Sequence, residues 1–126
     1  MIGVSSHVRV FAYGQPADLR RGFEGLSAMV RNEIGRDPID GALYLFVNRR
    51  RTRAKVLHFD GTGLWVYAKR LERGRFAALW RDKEAGALEL TTTELSLYVE
   101  GSEVVGRIAL SPPKITRADL AIAIGV

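Results

Sequence analysis

Cysteine is absent from the 126 residues, so no disulfide staples the chain and no thiolate is available for zinc binding or nucleophilic attack. Histidine occurs only as His7 and His58, too few for the imidazole-rich sets that hold transition metals. No apolar run approaches the roughly 20 residues that span a bilayer. The opening stretch MIGVSSHVRVF lacks the basic and apolar blocks of a secretory leader. The expectation is a cytoplasmic protein without membrane contact. A phosphate-cradling P-loop is missing too, because Gly61-Thr-Gly63 has neither the lysine nor the helix that must follow it. The G-x-S-x-G elbow of hydrolases does not occur.

What is abundant is positive charge, and it is concentrated. The chain carries a formal +5. Residues 49–75 hold nine cations (Arg49, Arg50, Arg51, Arg53, Lys55, Lys69, Arg70, Arg73 and Arg75) against Asp60 and Glu72. The other 99 residues hold ten bases and twelve acids, so the excess belongs to this one segment. Hydrophobic content of 47% and length together fit a single globular domain with its own core.

Alternation over residues 7–11 predicts a first strand. Pro16 and Asp18 read as the start of a helix. Leu19, Phe23, Leu26, Val30 and Ile34 fall at spacings of 4, 3, 4 and 4 and predict one long amphipathic helix, stopped by Gly35 and Pro38. Ala42–Val47 is a near-continuous apolar run, as in a central strand. Ala54–Phe59 and Leu64–Lys69 flank the turn Asp60-Gly-Thr-Gly63 and predict a hairpin. Pairing Phe59 with Leu64 sets Leu57 opposite Val66, His58 opposite Trp65 and Val56 opposite Tyr67. Both hairpin faces are then largely apolar, which places the hairpin inside a larger sheet.

Phe76–Trp80 and Ala87–Leu90 are weaker strand candidates. Thr91 and Glu94 form a capping box, with Leu90 and Leu95 as its hydrophobic staple, ahead of a short helix ending near Gly101. Val104–Leu110 is a further strand candidate, and Thr116 with Asp119 repeats the capping pattern. The expected architecture is α+β: a mainly antiparallel sheet packed by one long helix and a short C-terminal helix. Residues 1–101 form the domain and 102–126 a tail.

Five like charges in residues 49–55, near four more in residues 69–75, repel one another unless an anion offsets them. Clustered Lys and Arg neutralise phosphates, and Arg adds bidentate geometry. These nine residues are therefore the candidate nucleic-acid contacts. Trp65 and Tyr67 carry faces on which unpaired bases stack, although strand spacing predicts core packing for them, as for His58. Catalysis needs converging carboxylates, and Asp60, Glu72 and Glu89 show no spacing that brings them together. The expectation is a protein with no catalytic residues, no metal and no cofactor.

With these pieces assembled, the chain resembles the TnpB-type accessory proteins encoded by the second open reading frame of insertion sequence sixty-six elements. The resemblance rests on VRVFAYGQPADLRRGFEGL at residues 8–26, LYLFVNRRRTRAKVLHFDGTGLWVYAKRLERGRF at residues 43–76, and LTTTELS at residues 90–96. It covers roughly residues 1–101; beyond Gly101 the chain departs from the family's Trp- and Arg-containing continuation. The resemblance implies a non-catalytic helper of DNA transposition, with strand chemistry left to a separate transposase. It brings no catalytic residues, and it adds Arg20 and Arg21 as possible secondary basic contacts. Element-end DNA, the transposase, or both are the expected partners. An adaptor that docks its cations on an acidic transposase surface, without touching nucleic acid, is the alternative.

Overall fold

The computed structural model describes residues 7–100. The boundary expected at Gly101, the strand at 104–110, the Thr116/Asp119 cap and the tail 102–126 lie outside those residues. Five strands form one sheet: β1 (Val10–Ala12), β2 (Leu43–Val47), β3 (Arg53–Phe59), β4 (Leu64–Arg70) and β5 (Leu88–Leu90). Their spatial order is β4-β3-β2-β1-β5. Only the β1–β2 pair is parallel; the β1–β5, β2–β3 and β3–β4 pairs are antiparallel. The mainly antiparallel α+β expectation holds, with the parallel pair created by the helical crossover between β1 and β2.

That crossover is not one long helix. It consists of α1 (Phe23–Met29), which passes directly into a π-helical turn over Val30–Ile34. The reason lies at Asp18. Its Oδ1 accepts the Arg20 backbone N–H at 3.1 Å, and its carbonyl accepts that of Arg21, so the side chain builds a local turn that competes with helix. The helix therefore starts four residues later than its apolar stripe suggests. Leu19 still reaches the core from the turn, whereas Phe23, the first helical residue, stays half-exposed. Gly35 ends the element in the left-handed region, at φ 78°, as its position predicts.

The sheet is covered on both sides because alternate residues face opposite ways. On one side Phe11, Tyr44, Phe46 and Leu57 pack with Leu19, Leu26, Met29 and Val30 around α1. On the other, Val10, Leu43, Leu45 and Val56 pack against Leu95 and Tyr98 of α2 (Thr92–Glu100) and against Phe76, Ala77 and Leu79. The capping box forms as read: Glu94 N–H donates to Thr91 Oγ1 at 3.0 Å, and Thr91 N–H to Glu94 Oε1 at 2.7 Å. Leu90 and Leu95 meet in the same cluster, completing the staple.

The expected strand at Phe76–Trp80 is instead an irregular strap over the α2 side of the sheet. Its start is tied to the β2–β3 connection, where Phe76 N–H donates to the Arg51 carbonyl at 2.7 Å. Its end is tied behind β1, where Arg81 N–H donates to the Gly14 carbonyl at 2.8 Å. In between, the buried Tyr98 hydroxyl donates to the Ala77 carbonyl at 2.6 Å, and its ring stacks on Phe76 at 5.4 Å. Burial pushes the Tyr98 phenol well above its usual range, so it remains a neutral donor. Tyr98→Phe leaves that carbonyl without its partner at nearly constant volume. The expected result is a loss of about 1–3 kcal/mol, read as a lower urea midpoint at unchanged slope.

Candidate functional site

The open end of the β3–β4 hairpin carries the positive charge, and Asn48 shapes it. Asn48 closes β2 and caps the connection to β3. Its side-chain Oδ1 accepts N–H bonds from Thr52 and Arg53 at 2.9 and 3.0 Å, while its Nδ2 donates to Thr52 Oγ1 at 3.2 Å. Its backbone N–H donates to the Arg53 carbonyl, and Arg51 N–H donates back to the Asn48 carbonyl. This tight turn forces Arg51 into the left-handed region at φ 60°, a conformation that costs a non-glycine residue about 1 kcal/mol. The sequence reading passed over Asn48. An Asn opening a run of polar residues after an apolar strand was its available signal.

Register then brings the two cationic stretches together. Arg53 lies directly opposite Arg70, and Ala54 opposite Lys69. Leu71 N–H donates to the Thr52 carbonyl at 2.8 Å, extending the contact past the last ladder pair. Arg20, Arg50, Arg53 and Arg70 line one groove of about 420 Å³, with Leu19 in its wall. Arg53, Lys55, Lys69 and Arg70 line an adjoining groove of about 400 Å³ that also uses Leu19. Arg49, Arg73 and Arg75 are exposed on the flanking turns.

The cations differ in what already holds them. Arg20 is paired with Asp18 at 2.7 Å and Arg70 with Glu72 at 3.2 Å, both at the surface. The Arg20 guanidinium and backbone N–H hold the Asp18 carboxyl well below the usual carboxylate range. Lys55 Nζ donates to the Arg21 carbonyl at 2.9 Å, and Arg51 reaches the Phe76 carbonyl at 3.4 Å. Arg51 and Lys55 thus serve the fold as well as the field. Among the described residues Arg49, Arg50, Arg53, Lys69 and Arg73 are exposed and have no ion pair. Arg21 is exposed but lines neither groove; its carbonyl anchors Lys55.

The candidate carboxylates lie in three separate places. Asp60 sits in the hairpin turn, Glu72 follows the other end of β4, and Glu89 lies on β5 at the opposite sheet edge, bound to Arg9. Among the described residues no three His, Cys, Asp or Glu side chains group to hold a metal. His58 is half-buried on β3, with a buried Nδ1 that has no hydrogen-bond partner there.

Trp65 corrects the core-packing expectation. It is 53% exposed, because β4 is an edge strand rather than an interior one. Tyr67 is half-buried against the core, and the two rings stack at 6.0 Å and 13°. The Trp65 indole N–H donates to Asp60 Oδ2 at 2.8 Å. Asp60 Oδ1 accepts from the Thr62 and Gly63 N–H groups and the Thr62 hydroxyl, each at 2.9 Å.

The fold and rim define a small α+β protein with an electropositive sheet end. The family described as "IS66 Orf2 like protein" matches residues 8–107, and the chain belongs to that family. Membership gives it an accessory role in insertion-sequence transposition. The chain is similar to the uncharacterized proteins y4jC and y4hO of Sinorhizobium fredii (strain NBRC 101917 / NGR234), at 37% and 35% identity over 101 residues. Those alignments cover 80% of this chain and 85% and 86% of the two relatives. No solved structure matches. No helix among the described residues is long and apolar enough to cross a membrane.

Two outcomes follow from the turns. Asn48→Ala strands the Thr52 and Arg53 N–H groups; denaturant titration is expected to show a loss of about 1–3 kcal/mol. At Asp60, the indole and turn donors hold the carboxyl below its ordinary range, with the Trp65 bond the largest cause. A depressed carboxyl stabilises the fold above its unfolded value, near pH 4, and that contribution is lost as pH falls through the lower folded value. The Trp65 indole N–H proton resonance is therefore expected to hold steady from pH 7 to about 4 and to shift only in stronger acid.

Proposed function

We propose that the protein is a non-catalytic factor that contacts DNA, alone or within a transposase–DNA complex, through the arginine-rich rim of its sheet. The observation that carries this reading is the placement of Arg53 directly opposite Arg70, in a groove that also takes Arg20 and Arg50 from other parts of the chain. Like charges facing each other across a strand pair are destabilising, and a polyanion offsets that cost. Arg49, Arg50, Arg51, Arg53, Lys55, Lys69, Arg70, Arg73 and Arg75 form the contact surface, with Arg20 and Arg21 beside it. Its cations sit on turns and strand ends, not on a helix that fits a groove of DNA. The mechanism is phosphate neutralisation and positioning rather than base readout.

Salt titration of binding to element-end duplex DNA tests this. Changing Arg49, Arg50 and Arg53 to Ser together spares Arg51, which the turn needs. The triple variant is expected to melt like the parent, to bind more weakly, and to lose about 3 from the log–log salt slope. Unchanged affinity and slope would remove the rim from DNA binding. Co-purification with the transposase that survives nuclease treatment, without any shift of element-end DNA, would instead establish the adaptor.

A further inference from the structure

The rim accounts for phosphates, but it leaves an aromatic stripe unexplained. Trp65, Tyr67 and Lys69 lie on the same side of β4 at alternate positions, about 7 Å apart, facing the α2 side of the sheet. We propose that this stripe is a stacking track for single-stranded DNA that continues from the rim. The inference rests on the DNA-binding reading above and names the form of DNA that this part of the surface takes.

Three observations carry it. The first is exposure. Trp65 keeps 53% of its surface open on an edge strand, although burial of so large an apolar ring would stabilise the fold. The second is orientation. Asp60 holds the indole by its N–H edge while Tyr67 lies nearly parallel to one face, so the ring is fixed with its other face turned away from the stack. A fixed aromatic face stacks on any base without regard to sequence, but only when that base is unpaired. The third is charge. Lys69 ends the stripe without an ion pair among the described residues, next to Arg70 and opposite the Arg53 end of β3. An apolar groove of about 180 Å³, lined by Ala54, Val56, Tyr67, Lys69 and Val99, opens alongside. Its apolar walls suit a base, and its cation suits the phosphate attached to that base. Asp60 at the far end repels phosphate, so the backbone is drawn toward Lys69 and the bases toward Trp65 and Tyr67.

The test compares a labelled oligothymidylate with a duplex of equal length by fluorescence anisotropy at matched salt. Trp65→Ala is expected to weaken single-strand binding about tenfold and to leave duplex binding within about twofold. Trp65→Phe, which keeps a stacking face but cannot bond Asp60, is expected to retain most of the single-strand affinity. Single-strand binding is also expected to show the shallower salt slope, about −0.7 per phosphate against −0.9 for duplex.

Several results would overturn the track. One is a Phe variant as weak as the Ala variant, which would reduce Trp65 to a brace for the turn. Another is equal loss on both DNA forms, or no loss on either. A third is a concentration-dependent dimer in sedimentation that Trp65→Ala abolishes while oligonucleotide affinity stays constant; the strand edge would then pair with a second copy. If duplex binds and the single-strand result fails, only the track falls. If neither form binds, the DNA-binding reading falls with it.

Discussion

Asp60 gathers four hydrogen bonds in the β3–β4 turn, from the Trp65 indole, the Thr62 N–H and hydroxyl, and the Gly63 N–H. That turn sets the register in which Phe59 meets Leu64 and, at the other end of the ladder, Arg53 meets Arg70. Because side chains alternate, a slip of one residue would carry Arg70 to the α2 side and Lys69 to the α1 side. The grooves that Arg53 shares with Arg70, Arg20 and Lys55 would then lose their shape. A turn built on one carboxylate at one end of a hairpin thus decides the electrostatics of the other end.

The rim is held from behind as well as along its strands. Phe76 begins the strap by bonding to Arg51, and Tyr98 clamps the next residue from α2. The charged surface is therefore tied to the second core cluster rather than carried on a free loop. Arg51 shows the cost of this arrangement. The turn needs a left-handed residue there, and the chain uses an arginine whose side chain reaches back to the strap. Strain of this kind persists only where surrounding bonds over-determine it, and Asn48 supplies them.

Sequence showed the local features well and the topological ones poorly. The hairpin register and the Thr91/Glu94 box follow from period-2 patterning and from side chains bonding their own backbone a few residues away, and both are present. The approach of the two cationic stretches followed from that same register. The long helix failed because Asp18 satisfies its neighbours' N–H groups in a turn, while Leu19 keeps helical spacing without being helical. Phe76–Trp80 misled because an apolar run has the same composition whether it lies within a sheet or across one. Trp65 misled for a related reason: the burial of a strand residue depends on whether its strand is flanked, and β4 has a neighbour on one side only. Arg20 is a candidate only through the family resemblance, because its place in the groove depends on a tertiary approach to residues 48–71 that no local pattern signals.

An edge strand carries charge for a plain reason too. Lys and Arg at an exposed edge discourage pairing with other chains, and Lys69 and Arg70 on β4 do that whatever else they do. This protection needs one or two cations on the edge strand itself. It gives no reason for Arg53 on the interior neighbour β3, for Arg50 on the connection, or for Arg20 from before α1 to converge on the same groove. Elsewhere Arg9 pairs with Glu89 at 2.9 Å and Arg36 with Asp40 at 3.1 Å, while Arg31, Arg81 and Lys83 have no ion pair among the described residues. At the rim, Asp18 and Glu72 line the two grooves and each takes one partner, leaving Arg50, Arg53 and Lys69 without an ion pair among the described residues. Edge protection accounts for the charge on β4 and stops there; the unpaired Arg50 and Arg53 beside it are the cations that the proposed external anion would neutralise.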